Sequence, residues 1–155
     1  RMPQIMQWVQ QGLARSGRSR ADFRLNNFMA WHIKRDRAAS IAEARRELIW
    51  RGFLLPWFTE TFLDADAVAL VVDKKPAFLE AFFSRSPQIA GVPEPIVDAL
   101  VEHLTLAGDL GDIDAAAAKI HALGAAGLDE VALRLHDEPE EGLRLIGEHL
   151  LPALR

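Results

Sequence analysis

Residues 111–154, GDIDAAAAKIHALGAAGLDEVALRLHDEPEEGLRLIGEHLLPAL, decide the fold. Asp112 stands where its carboxylate can take the free N–H groups of a helix start, and the alanine-rich run Ile113–Leu123 propagates a helix well. Gly124-Ala125-Ala126-Gly127 closes that helix. Glu130–Leu135, EVALRL, is short, apolar and bounded by turn signals, the mark of a buried strand. His136–Pro139 reads as a loop. Glu140–Leu151 then reads as a helix with acids in its first turn, where the macrodipole favours them, and Pro152 as its stop.

Working outward, the same alternation recurs. Before Gly111 come a turn over Gly108–Gly111, a short strand over His103–Ala107 and a helix over Ile96–Glu102. At the amino-terminal end Ile5, Trp8, Val9 and Leu13 recur at helical spacing, predicting a helix over 3–15 that Ser16-Gly17 stops. Phe23–Ile33, FRLNNFMAWHI, reads as a buried strand. Asp36 caps a long helix over Arg37–Trp50, with Ile41, Ala44, Leu48 and Ile49 as its apolar stripe, and Gly52 ends it. Residues 53–94 read as a helical insertion too apolar to be left in water: an aromatic stretch Phe53–Phe62 around Pro56, a segment Val68–Val72 whose context favours helix, a break at Lys74-Lys75-Pro76 and a helix over Ala77–Phe83. Strands alternating with helices across short loops predict an α/β fold with a parallel sheet. About three strands are visible, too few to cover both faces and both edges. The chain also opens on Arg1, directly inside a helical pattern. The expectation is therefore the C-terminal portion of a (β/α)8 TIM barrel, a single partial domain over 1–155 whose activity resides in a longer parent.

Composition narrows the function classes. The 155 residues are half hydrophobic and about a quarter charged, an ordinary balance for a globular domain. With no cysteine there is neither disulfide nor thiolate metal site. No apolar run approaches the roughly 20 residues of a membrane span, and Arg1–Ser19 lacks the apolar core of a secretory signal. A cytoplasmic protein without membrane contact is expected. Residues 1–51 carry +7 and the remainder −11, consistent with the net −4. The basic third is interleaved with amphipathic helix and lacks an aromatic–basic stacking motif, so solvated helix faces rather than nucleic-acid binding are expected.

The closing 111–154 segment resembles the last two strand–helix units of the luciferase-like monooxygenase superfamily, and looks closest to the methylenetetrahydromethanopterin-reductase-like branch. The features that carry the resemblance are Gly111-Asp112-Ile113-Asp114, Ala115–Leu123, Ala126-Gly127, Val131–Leu135 and Leu150-Leu151-Pro152. The start departs from the family's commoner Gly-Thr-Pro-Glu. Ser16-Gly17-Arg18, the strand after it, Asp36 and the helix with Ala44-Arg45-Arg46 resemble the family's sixth strand and its flanking helices. The resemblance implies a flavin- or deazaflavin-dependent oxidoreductase that passes a hydride between FMN or a deazaflavin coenzyme and an organic substrate. A homo-oligomer is expected as well. The alternative from another class is a non-catalytic helical interaction module whose basic third meets an acidic partner.

Barrel sites lie at the carboxyl ends of strands, which makes Trp31, His32, Gly108, Asp109, Arg134 and His136 the pocket candidates. His32 suits a pocket hydrogen-bonder or proton donor, because imidazole titrates near neutrality; a strand-end histidine bonded to a neighbouring loop is the plainer reading. Arg134 within a buried strand needs an acid partner or an anionic ligand. His136, Asp137 and Glu138 are too close in sequence to close around a metal unaided, so an acidic helix-capping turn and no metal are expected. Gly108 and Gly111 bracket a helix entry of the kind that holds phosphate, but Asp109 and Asp112 would repel one. The aromatic stretch Phe53–Phe62 reads as a lid over the pocket or as a dimer surface.

Overall fold

The computed structural model describes the backbone of residues 1–155 and every side chain except that of Arg51. Three parallel strands form the sheet: β1 (Asn26–Trp31), β2 (Thr105–Leu106) and β3 (Glu130–Arg134). β1 lies in the middle, with Ala30 opposite Thr105 on one side and Asn26 to Ala30 opposite Glu130 to Arg134 on the other. Helix α1 (Met2–Ser16) precedes β1. Between β1 and β2 run α2 (Arg37–Glu47), α3 (Pro56–Thr59), α4 (Ala65–Asp73), α5 (Lys75–Ser84) and α6 (Glu94–Leu104). Helix α7 (Ile113–Ala125) carries the chain from β2 across to β3. After β3 comes α8 (Pro139–Leu145), continued by a π turn over Ile146–Leu150 and a last turn Leu151–Ala153. The chain is thus helix-rich α/β with a parallel sheet. Consecutive strands of a barrel adjoin in chain order; here the first strand separates the second from the third.

Strand alternation sends the two sheet faces to different partners. Trp31, Ile33 and Leu106 pack with Ile113, Ala116 and Ala117 of α7 and with Leu145 and Leu150 of the closing helix. The second cluster lies helix on helix: Ala44 and Leu48 of α2 meet Val71, Phe78, Ala81, Val97 and Leu100. Helix α2 lies between these layers and is buried on two sides, its buried residues including Ser40, Glu43, Arg46 and Glu47. Of the apolar stripe read from sequence, Ala44 and Leu48 are buried while Ile41 and Ile49 are only partly so.

Several boundaries differ from the sequence reading for identifiable reasons. The strand expected over 23–33 begins at Asn26, because Arg20–Asp22 close a 3-10 turn capped by Ser19. His32 still extends the ladder, donating its N–H to the Leu106 carbonyl at 2.8 Å. The strand expected over 103–107 shrinks to two residues: α6 runs through Leu104, and the Thr105 hydroxyl donates back to the Val101 carbonyl at 2.7 Å. The helix expected to Trp50 ends at Glu47, where the next N–H bonds three rather than four residues back and a 3-10 turn over Trp50–Gly52 follows. Pro152 lies inside the final turn instead of ending the helix. It has no N–H to return, and the wider π turn just before it relaxes the register.

The charge asymmetry resolves within the molecule. Arg20 pairs with Asp129, Arg24 with Glu130, Arg37 with Asp112 and Arg46 with Asp137. Arg45 reaches Glu94 at 2.5 Å and Asp98 at 2.6 Å. The basic third is thus met largely by the acidic remainder of its own chain. Most of these pairs are exposed at one end and individually weak, so the helix-on-helix cluster carries more of the stability. Leu100, fully buried there, gives the check: Leu100→Ala should lower unfolding stability by about 2–5 kcal/mol, read as a lower urea midpoint at unchanged slope.

Candidate functional site

β1 is followed by α2 on one face of the sheet, whereas β3 is followed by α8 on the other. Neighbouring parallel strands whose chains leave to opposite faces open a crevice beyond their carboxyl ends, the usual ligand position in open α/β sheets. A cavity of about 240 Å³ lies there, between Trp31–Asp36 on one side and Leu135–Glu138 on the other, floored by Glu43 and Leu145.

Two histidines meet at this crevice. His32 follows β1 directly and His136 stands two residues beyond β3; their rings stack with centroids 4.5 Å apart. Helix α2 holds both. Glu43 and Glu47, one turn apart and so on one face, reach the two strands in parallel. His32 Nδ1 is 2.8 Å from Glu43 Oε1, and His136 Nδ1 is 3.0 Å from Glu47 Oε2. The opposite ring nitrogens, both Nε2, are buried without a hydrogen-bond partner, as is the indole Nε1 of Trp31. Lys34 closes one side, with Nζ 2.9 Å from Glu43 Oε2 and donating to the Asp137 carbonyl at 3.2 Å. Asp137 accepts from Arg46 of α2 and from Arg85, just past α5, the latter at 2.5 Å.

Burial pushes the His32 pKa down, against the hydrogen bond and charge of Glu43, and His136 beside it lowers it further. His32 is therefore neutral near pH 7. Its Nδ1 carries the proton and gives it to Glu43, which leaves Nε2 as a lone-pair acceptor. Burial raises the Glu43 carboxyl, but the hydrogen bonds and charges of His32 and Lys34 together hold it below its ordinary value. Burial likewise raises Glu47, but the hydrogen bond and charge of His136, with Arg46 and His32 beside it, together hold it below its ordinary value. Such a site can accept a proton from a bound group or hold a hydrogen-bond donor in fixed geometry.

Of the sequence candidates, Trp31, His32 and His136 come together here, and the others do not. Arg134 makes no ion pair among the described residues and does not line the cavity; its guanidinium lies over the Trp50 ring, 4.4 Å from the centroid. Gly108 and Asp109 stand beyond β2 in a separate turn: the Gly108 N–H donates to the Ser40 hydroxyl at 2.8 Å, and Asp109 caps the 3-10 turn Leu110–Asp112. Asp137 and Glu138 do not cap α8; Glu138 adopts left-handed backbone with no side-chain cap, and Asp137 is spent on its two arginines. The aromatic stretch seats α1 rather than covering the pocket, since Trp57 stacks on Trp8 at 5.5 Å. Sequence reasoning missed Glu43 and Glu47. Their signal was present in two acids four apart among the alanines of a helix that follows a strand-end histidine.

These shifts fix a pH dependence. A group whose pKa is depressed on folding contributes stability that is present above its unfolded value and lost as pH falls through its folded value. His32, Glu43 and Glu47 all have this sign. The urea midpoint should fall as pH drops below about 6.5, the unfolded histidine value, and fall more steeply through the carboxylate range. His32→Asn should flatten the upper part of that decline and leave the lower part in place.

Searches against protein-family models, curated proteins and solved structures matched none of them to this chain.

Proposed function

We propose that the crevice beyond β1 and β3 binds a small molecule, with His32 Nε2 as its proton acceptor, and that the chain supplies the substrate side of a flavin- or deazaflavin-dependent oxidoreductase of the luciferase-like kind. The reaction of that kind moves a hydride between cofactor and organic substrate. The observation that carries the site is the pair of glutamate-held histidines where the sheet opens between β1 and β3. The oxidoreductase assignment rests on the resemblance of residues 111–154. Sequence suggested His32 as a pocket hydrogen-bonder or proton donor; its depressed pKa favours the first, as an acceptor.

The described residues suit a substrate better than a whole cofactor. The cavity, at about 240 Å³, is smaller than the roughly 300–1,000 Å³ of ordinary ligand pockets. The turn that would have to cradle a phosphate holds the carboxylates of Asp109 and Asp112, with Arg37 already paired to them. A flavin can present its ring edge at the cavity mouth, while its phosphate tail finds no cradle among these residues. When bound, the cofactor supplies the redox chemistry; this chain's residues orient the substrate, exclude water around Trp31 and hold a proton at His32.

A second reading is favoured by the strand order. With β1 paired on both sides, the sheet is a small open unit in its own right, and such a unit binds a small molecule without any flavin. The acidic-partner module has less support, because the acids that meet the basic third are the chain's own. Fluorescence titration with FMN, riboflavin and the deazaflavin coenzyme separates the readings. The oxidoreductase reading expects saturable quenching, with FMN and riboflavin binding within about twofold of each other because the phosphate adds no contact. A folded protein that quenches none of the three overturns that reading in favour of the second.

A further inference from the structure

The charges around the cavity constrain what it can hold, on the reading that the crevice is a small-molecule site. Lys34, Glu43 and Asp137 line its inner wall, and Arg46, Arg85 and Glu47 stand behind them; these three cations and three carboxylates all pair with one another or with the histidines. With His32 neutral, this wall carries no net charge from those six groups. Farther out, Arg35 is 3.0 Å from Glu141, Asp36 caps α2, and the exposed Glu138 lies 3.6 Å from Lys34. The rim is therefore slightly acidic.

A net charge brought into a balanced site is left uncompensated, and burying it costs far more than burying a neutral polar group. An anion would in addition face the acidic rim. A bare cation would face the indole N–H of Trp31, a donor with nothing to donate to, and would leave most of the 240 Å³ unfilled. That space corresponds to about eight water molecules at about 30 Å³ each. Glu43 Oε2 has the Lys34 ammonium at 2.9 Å; the other unmatched groups on described cavity-lining residues are one donor, Trp31 Nε1–H, and the two imidazole Nε2 atoms of His32 and His136. All three belong to residues lining the cavity and are nine-tenths or more buried. Buried polar groups left without partners are costly and are ordinarily satisfied by something that binds. A hydroxyl gives one hydrogen bond and accepts others, so a molecule bearing several hydroxyls satisfies all three at once.

We propose that the cavity beyond β1 and β3 recognises an uncharged, polyhydroxylated small molecule through Trp31 Nε1, His32 Nε2 and His136 Nε2. The two imidazoles accept from its hydroxyls, the indole donates to one of them, and Glu43 and Glu47 act as positioning residues that keep each ring proton on Nδ1.

The test is long-range proton–nitrogen NMR of the imidazole and indole rings in the whole protein, titrated separately with ribitol, acetate and zinc ion. Ribitol should move the Nε2 signals of His32 and His136 and the Trp31 indole signal along one saturable curve, with acetate at the same concentration moving none. Glu43→Gln and Glu47→Gln should each raise the ribitol half-saturation concentration at least fivefold and shift the affected ring toward the other tautomer. A variant that merely loosened the fold would broaden signals throughout instead, and circular dichroism of each variant guards against that. If acetate or zinc saturates these signals and ribitol does not, the neutral-ligand proposal is overturned while the small-molecule site stands. If none of the three moves them, the crevice is not a ligand site and both fall together.

Discussion

Helix α2 is clamped between a helical layer and the sheet, and on the sheet side it presents carboxylates where an apolar stripe would be ordinary. Ala44 and Leu48 pack into the helical cluster while Ser40, Glu43 and Glu47 turn to the strands and to the turn after β2. Buried carboxylates are tolerable only when every oxygen is answered, and breaking such a pair costs about 3–5 kcal/mol by leaving its partner charged or unbonded. Each glutamate therefore fixes a specific strand-end histidine at a specific height. Because the two are one helical turn apart, the pairing also sets how β1 and β3 are aligned beyond their ladder. The crevice, the stacked rings and the Lys34 contact follow from that one helix face.

Much of this was legible in the sequence, in an uneven way. Long periodic segments such as α1, α7 and β3 were readable because their neighbours in sequence decide them: Gly17 can adopt the left-handed turn that ends α1, and the alanines of α7 need no tertiary help to stay helical. The expectation for residues 103–107 went astray because a threonine that looks like a strand former gives its hydroxyl back to the helix before it. Strand order was not readable at all. It depends on which faces bury against which, and no local pattern reveals that β1 will sit between the later two. Trp31, His32 and His136 were found by their position at strand ends, whereas Arg134 was misjudged because the Trp50 ring that receives it lies 84 residues away in sequence.

The opposed charges of the two parts of the chain take on a structural meaning in the same light. Read as composition, a basic third and an acidic remainder suggest an external partner. In the fold they are an internal address: Arg20 and Arg24 meet Asp129 and Glu130 beside the start of the β1–β3 ladder, and Arg46 and Arg85 both meet Asp137 at its far end. Pairs at the two ends of one ladder disfavour slipped registers, since a shift along the strand would draw each cation away from its carboxylate.

Helix α1 follows a different logic. It buries no residue, and its anchorage is the Trp8–Trp57 stack, the Arg1 contacts with Trp57 and Glu60, and the close approach of Met6 to Gly127. Opening such an element exposes little that the core keeps dry, so it can detach and return while the rest of the molecule stays folded. The protein accordingly has two tiers of cooperativity. Amide protons in α1 exchange through this shallow local opening, whereas those of β1, tied on both edges, wait for the whole molecule to unfold.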